Sequence, residues 1–285
     1  MNPINKKKNI FNIFIILLLV ITLIYLASFL LTPKKEGILL HFFDVGQGDA
    51  TLIEVPQGQK VLIDGGPNDS VISKIDKIIP FYKRKIDVVI LTHPHADHVT
   101  GLIKVLENYE IGDVYLTGVI HTAPEYLQFL EKLKEKNIPS HQVVAGDTLD
   151  FSGGIKMDFL YPKNSLGGKK VENLNNSSIV TKLSWGRESA LFAGDLEKEN
   201  QYQLFGSSIK SDLLKVPHHC SNDAINKGFL ERVDPKSTVV FVGKDNKFGH
   251  PTAQCLEALK STKAYRTDYD GDIDFVMNQT EIKPL

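Results

Sequence analysis

Three imidazoles and one carboxylate fall within six positions in Thr92-His93-Pro94-His95-Ala96-Asp97-His98. Imidazole nitrogens and carboxylate oxygens are the donors that borderline divalent ions take from proteins, zinc first, with manganese or iron also permitted. The apolar run Ile86–Leu91 reads as a buried strand, so the donors emerge together at its end. A tight turn there can aim His93 and His95 at one ion and Asp97 and His98 at a neighbouring one.

Such a cluster needs ligands from elsewhere in the chain. Asp195 follows the apolar stretch Ala190–Ala193 and Gly194, which lets the backbone turn sharply. A carboxylate in that place can bridge two ions about 3.5 to 4 Å apart. His218 and His219 follow another strand pattern, Asp212–Val216. Adjacent side chains diverge, so His219 is expected to bind metal while His218 meets a substrate oxygen or supports the site. His250, between Gly249 and Pro251 and just before a helix, is a candidate for contact with a substrate phosphate or for proton donation. Asp97, His218 and His250 are thus the expected catalytic contacts, with Asp97 also a ligand. His121 could enter the same cleft, whereas His41 and His141 read as structural or superficial. Water activated by one or two divalent ions, zinc or manganese, could attack phosphorus or a carbonyl carbon. No covalent nucleophile is needed, and neither Cys220 nor Ser221 lies in a nucleophile elbow. Cys220 and Cys255 are the two cysteines; they could pair in an exported domain or remain free thiols.

The elements that must position these residues alternate along the chain. Strands are expected at 38–43, 50–55, 60–63, 86–91, 113–116, 141–144, 155–161, 178–185, 189–193, 212–216, 239–242 and 273–277. Helices are expected at 70–79, 100–109, 125–136, 196–204, around Phe229 and at 252–261, and 166–176 reads as a surface loop. Two batches of strands flanked by helices suggest sheets packed together with helices outside.

Residues 1–9 form a short basic tail. Residues 10–31 carry no charge, and only Asn12, Thr22 and Ser28 among them are clearly polar. As a helix this segment could cross roughly 30 Å of hydrocarbon, which predicts a single membrane anchor followed by a linker at 32–37 and a domain at 38–285. Lys6, Lys7 and Lys8 precede the apolar run, which places the N-terminus inside and the domain outside the cytoplasm. Ala27 and Ser28 admit the alternative of a cleaved signal and a secreted domain. With 33 basic and 34 acidic residues and a net charge of -1, the chain as a whole offers no attraction to nucleic acid.

The motifs His93-Pro94-His95-Ala96-Asp97-His98 and Ala193-Gly194-Asp195 resemble the metallo-β-lactamase superfamily. More narrowly, Phe43–Ala50, Leu62–Gly66, Asn175–Ser178, Val216–His219 and Gly249–Pro251 look like the hydrolase domain of the ComEC family of DNA-uptake (competence) proteins. The resemblance spans about Leu39 to Met277. It implies an α+β fold, a four-layer αββα sandwich with the metal cleft at one edge, here preceded by one transmembrane helix. It further implies a first ion on His93, His95 and Asp195 and a second on Asp97, His98, Asp195 and His219. Asp64 would support the site from below, and Gln47 and Asp49 would approach through their glycine-rich turn. The implied activity is hydrolysis of a phosphodiester, either DNA or an envelope polymer. The alternatives are a lactone or β-lactam hydrolase and a non-enzymatic binding or assembly domain with a degenerate cleft. Two departures stand out. Asn175, Asn176 and Ser178 occupy the region where many relatives contribute a further first-site histidine, and Cys220 stands where relatives usually carry glycine. One amino-terminal span cannot form a DNA pore.

Overall fold

The computed structural model describes residues 3–30 and 37–285. The chain divides into two compact units, Met1–Lys35 and Glu36–Leu285. The first holds helix α1 (Pro3–Leu30), whose side chains from Phe11 to Tyr25 are exposed. Thr22 returns its hydroxyl to the carbonyls of Leu18 and Leu19 at 2.8 and 2.9 Å, the usual way a hydroxyl is satisfied inside a helix. Helix α1 overlaps the expected anchor, but among the described residues no helix is long and apolar enough to cross a membrane. The segment with described side chains, Phe11–Tyr25, rises only about 22 Å. Leu31 and all of the expected linker except Gly37 lie outside the described residues.

The second unit opens with strands β1 (Ile38–Phe42), β2 (Thr51–Glu54), β3 (Lys60–Ile63), β4 (Lys85–Ile90), β5 (Glu110–Leu116) and β6 (Ser140–Gln142). It continues with β7 (Thr148–Phe151), β8 (Ile155–Tyr161), β9 (Val180–Trp185), β10 (Glu188–Phe192), β11 (Leu213–Lys215), β12 (Ser237–Val240) and β13 (Lys263–Arg266), and closes with β14 (Ile273–Met277) and β15 (Ile282–Pro284). One sheet has the order β15-β14-β1-β2-β3-β4-β5-β6 and the other β13-β12-β11-β10-β9-β8-β7. Helices α2 (Ser70–Ile75), α3 (Ala96–Asn108) and α4 (Pro124–Glu135) share an apolar cluster with the outer face of the first sheet. Helices α5 (Lys227–Val233) and α6 (Ala253–Ala258) do so on the second, and α7 (Thr267–Asp270) follows β13. Helix, sheet, sheet and helix thus form the four expected layers.

Alternation along the strands explains the layering. Val88 and Ile90 of β4 enter the core between the sheets, whereas Val89 and Leu91 lie under the helices. Phe42 is central to the inter-sheet core, with the rings of Phe192, Phe241 and Phe275 at 5.9 to 6.1 Å. Helix α3 turns Val99, Leu102, Ile103 and Leu106 into one buried stripe. Strands β3 to β6 run parallel, as do β10 to β13. The chemistry-bearing residues follow the carboxyl ends of these parallel strands, the edge at which open α/β sheets place ligands.

Several expected boundaries shift. Helix α3 starts at Ala96 rather than Thr100, so Asp97 and His98 lie in its first turn and not in a free-standing tight turn. Carboxylates are favoured in that position. No α-helix forms over 196–204; the chain makes a 3-10 turn at Gln201–Leu204, where the Gln201 side chain donates to Leu196 O and Ala224 O. Those side-chain bonds hold the segment in turns. Helix α2 ends at Ile75, and β7, β13 and β15 are short strands beyond those expected.

Candidate metal centre

The turn after β4 is fixed before any ligand is considered. Buried Asp64 accepts hydrogen bonds from Thr92 N at 2.8 Å, Thr92 Oγ1 at 2.7 Å and His98 Nδ1 at 2.8 Å. Helix α3 is clamped to the loop after β3, where Gly65 N donates to His98 O and Gly101 N to Gly66 O. A Cβ on Gly101 would lie 1.8 Å from Gly65 O, so this approach excludes any side chain. The Asp64 carboxylate, supporting the site as expected, thus fixes the His98 ring with Nε2 pointing away from it.

Four atoms converge where that nitrogen points. His219 Nε2 is 3.1 Å from Asp97 Oδ2 and 3.5 Å from Asp195 Oδ2, and His98 Nε2 is 3.3 Å from Asp195 Oδ2 and 3.8 Å from Asp97 Oδ2. Ligands about 2.1 Å from a tetrahedral ion are separated by about 3.4 Å. The four imidazole-to-carboxylate separations therefore match those between ligands of one divalent ion. Beside it, His93 Nε2 and His95 Nδ1 face each other at 3.0 Å, while His93 Nδ1 is backed by Thr92 Oγ1 at 3.0 Å and Ser178 Oγ at 3.3 Å.

Asp49, His98, Asp195 and His219 also form a buried group with donor atoms within 4.8 Å of one another. Asp49, however, is bound by the ammonium of Lys215, and the outer nitrogens of the rings are engaged, His98 Nδ1 by Asp64 and His219 Nδ1 by Phe241 O at 3.1 Å. Asp97, rather than Asp49, completes the set around the inner nitrogens. Lys215 is 3% exposed; its ammonium donates to Gly194 O at 2.7 Å and meets Asp195 Oδ1 at 3.3 Å. His218 N donates to the same Oδ1 at 3.1 Å, which leaves Oδ2 as the oxygen facing the imidazoles. Sequence reasoning missed Lys215, although a lone cation in Leu213-Leu214-Lys215-Val216 next to two histidines was its trace.

Charge in this cleft is tightly interlocked. Burial opposes ionisation throughout, yet Asp195, Asp64 and Asp97 raise His98 well above its ordinary pKa, and Asp195, Asp97 and Asp49 raise His219. Burial likewise opposes the Asp195 and Asp97 anions, but the facing imidazoles, with Lys215 for Asp195, pull both below the usual carboxylate range. Protons on the rings thus stand where a cation would. Burial, reinforced by neighbouring rings, lowers His93 and His95 and so favours the neutral form that binds metal.

The second histidine turn is built differently. His218, His219 and Cys220 have φ of +45°, +50° and +59°, a left-handed run that costs non-glycine residues of order 1–3 kcal/mol each. Cys220 pairs with Cys255 of α6 in a disulfide, and Thr252 N donates to Cys220 O at 2.9 Å. These links hold the turn and splay the two rings. His219 enters the ligand set, whereas His218 lines the cleft with Nδ1 3.1 Å from Ser221 Oγ and Nε2 3.2 Å from Asn175 Nδ2.

The cleft has a volume of about 490 Å3, and Gln47, Asp97, Asn175, His218, Phe248 and His250 contribute to its lining. His250 borders this cleft, with burial and the neighbouring His219 and His218 lowering its pKa. His121 does not line it; it borders a separate depression of about 420 Å3 with Val119 and Tyr126. His41 is buried between Glu54 and Asp274, and His141 pairs with Asp113 at the surface.

The family model of the metallo-β-lactamase superfamily matches residues 43–244. Among curated proteins, the chain is 29% identical to ComE operon protein 3 of Bacillus subtilis over 83% of its own length and 32% of that protein's. It is 26% identical to competence protein ComA of Neisseria gonorrhoeae over 88% and 34%. It therefore spans about a third of these relatives. Among solved structures, the metallo-β-lactamase fold protein YhfI from Bacillus subtilis superposes with a TM-score of 0.54 at 14% identity, covering 84% of this chain and 100% of that one. CmlA from Streptomyces venezuelae, a diiron β-hydroxylase, gives 0.50 at 15% identity over 89% and 55%. These likenesses establish the shared fold.

Proposed function

From the premise that this chain belongs to the metallo-β-lactamase superfamily of metallo-hydrolases, we propose that it cleaves a phosphodiester, with DNA as the substrate polymer. The observation that carries the reading is the convergence of Asp97, His98, Asp195 and His219, in which each imidazole Nε2 lies 3.1 to 3.8 Å from each carboxylate Oδ2. These residues would hold one divalent ion and His93 and His95 would begin a second site beside it, with zinc or manganese as the candidate ions. Divalent ions in such a place make water nucleophilic near neutral pH and offset charge building on phosphoryl oxygens.

The chain's own residues shape the rest of the reaction. Asp64 fixes His98, and Lys215 with His218 N fixes Asp195, so the ligand set is oriented in advance. His218 and His250 line the wall where a phosphodiester would lie, and His250 is assigned to the leaving oxygen. Phe248 is 67% exposed at the same cleft and stacks against His250, a surface suited to a nucleobase. The resemblance to DNA-uptake proteins, together with a relative named as a competence protein, supports DNA over an envelope polymer. Helix α1 is assigned as a membrane anchor with the catalytic unit outside the cytoplasm. The lysines before its apolar run and the Cys220–Cys255 disulfide support that orientation.

Single- and double-stranded DNA, bis-nitrophenyl phosphate, a lactone and a β-lactam, each supplied with zinc or manganese, separate the readings. The full chain is expected to cleave only the phosphodiesters, and only with metal. Asp195→Ala is expected to lower turnover by more than the roughly 100-fold that loss of an outer-shell partner can bring. Preference for the lactone or β-lactam, or undiminished turnover by Asp195→Ala, would refute the assignment.

A further inference from the structure

The loop between α2 and β4 holds two large rings out into solvent. Phe81 and Tyr82 are 80% and 70% exposed and pack edge to face on each other at 5.4 Å. The backbone beneath them is pinned. Arg84 donates to both Asp76 oxygens at 3.0 and 3.1 Å and lies over the Tyr109 ring, while Lys83 N donates to Pro80 O and Glu110 N to Arg84 O. Adjacent aromatic side chains kept in water by a fixed support mark a surface that meets something else. The charge around them is positive. Arg84 is engaged by Asp76, and Lys85 shares Asp87 and Glu110 at 3.7 Å. Lys77 and Lys83 are exposed and have no ion-pair partner among the described residues.

Strand register locates this loop within the second unit. Strand β4 begins at Lys85, opposite Glu110 of β5, so the rings lie at the amino ends of the parallel strands, whereas the candidate metal centre follows their carboxyl ends. Extended chain from Lys85 to His93 rises about 26 Å, and the rings therefore take no part in the reaction. The polypeptide, by contrast, enters this unit at their end. Leu39, Glu54 and Lys60 share a row across β1, β2 and β3, and Lys60 N donates to the Asp87 side chain at 2.8 Å. Gly37 is thus level with Lys85 and three strand spacings, about 14 Å, from it. We propose that Phe81 and Tyr82, with Lys77 and Lys83, form a footing on a lipid bilayer that carries anionic headgroups. Aromatic rings settle at the headgroup level of bilayers, and nearby lysines are drawn to anionic lipid. A tether at the chain's point of entry limits only distance. The footing adds orientation: it turns the cleft away from the membrane, where a polymer arriving from solution can reach it.

This footing rests on the reading of the chain as membrane-attached, and spin labels on the full chain test the two separately. Cys220 and Cys255 are joined in the disulfide, so a single introduced cysteine takes the label. Nitroxides at Tyr82→Cys, Leu17→Cys and Tyr269→Cys would be compared in bilayer discs of phosphatidylcholine with phosphatidylglycerol. The reading is relaxation by oxygen, which partitions into lipid, against relaxation by a water-soluble nickel chelate. Tyr269 is 88% exposed on α7, beyond the carboxyl end of β13, and serves as the control at the cleft end. Position 82 is expected to favour oxygen and position 269 the chelate. Lys77→Glu with Lys83→Glu, added to the Tyr82→Cys chain, is expected to lower the ratio of docked to free label by at least about 25-fold, since each lysine is worth about fivefold at an anionic surface. A label at 82 that favours the chelate would overturn the footing. So would one shielded from both reagents, which would place a protein or a second copy of the chain over the rings, and so would a docked ratio indifferent to the two charge reversals. Position 17 reports on α1 alone: oxygen contact there beside a water-exposed 82 would keep the anchor and reject the footing, and the reverse would keep the footing and reject the anchor.

Discussion

The two histidine turns reach the same cleft by opposite means. The Thr92–His98 turn joins a buried strand to a helix, its backbone is held by Asp64 and by the close approach of Gly65 and Gly101, and each segment obeys its local preference. The His218–Cys220 turn goes against local preference, with three consecutive left-handed residues, and is kept in place by a disulfide, by Thr252 and by the Lys215 ion cluster. Tertiary contacts fasten both halves of the centre; they differ in that the first is relaxed in its local conformation and the second is strained. The second half is where conditions and mutations should act first.

Removing the buried cation should have the largest effect. Lys215→Met keeps the volume but leaves Asp49 and Asp195 without their ammonium, and breaking a buried pair on one side costs about 3–5 kcal/mol. Urea unfolding of the metal-free protein is expected to show a loss of that size, reduced when divalent metal is present to compensate the carboxylates. A loss below about 1 kcal/mol would place the ion cluster among incidental contacts.

Opening the disulfide should be next in size. The double substitution Cys220→Ser with Cys255→Ser is expected to cost about 2–4 kcal/mol. Amide exchange should accelerate at 216–221 and remain unchanged at 92–98; uniform acceleration would contradict the contrast between the turns.

The smallest effect, and the one that sharpens the comparison, is the pH response. His98 and His219 have folded pKa values raised above 6.5, so their contribution to metal-free stability is fully present below 6.5 and is lost as pH rises through the raised values. Asp97 and Asp195 are depressed below 3.8, so theirs is present above 3.8 and is lost as pH falls through the lowered values. A divalent ion must displace the ring protons. The rise in melting temperature on adding metal should therefore grow from about pH 6 to about pH 8. A constant rise would show that the rings are already neutral.

Legibility in the sequence followed the same divide. His93, His95, Asp97 and His98 were readable because the donors are contiguous and follow an apolar run. Asp195 was readable through the strand and glycine before it. The helical start at Ala96 was not, since Pro94 and the dense polar residues read as a turn. Lys215 was hidden because one lysine in an apolar strand has the pattern of an edge position, and only the fold shows Asp49 beside it. The pairing of Cys220 with Cys255 likewise depends on groups far apart in sequence. Packed sheets with helices outside were legible from the order of strand and helix patterns and the four layers from the family resemblance, whereas β7, β13 and β15 are too short and polar to announce themselves.

Strand β1 lies between β2 and β14 in the first sheet. The Ile38–Phe42 segment thus waits for one made some 230 positions later before its second edge is covered. Until Ile273–Met277 emerges, Ile38, Leu40 and Phe42 expose an unpaired apolar edge, the kind of surface that attracts chaperones or strand pairing between molecules. Assembly of this unit consequently has to await strand β14. Shortening it before Met277 should yield aggregation rather than a smaller active protein.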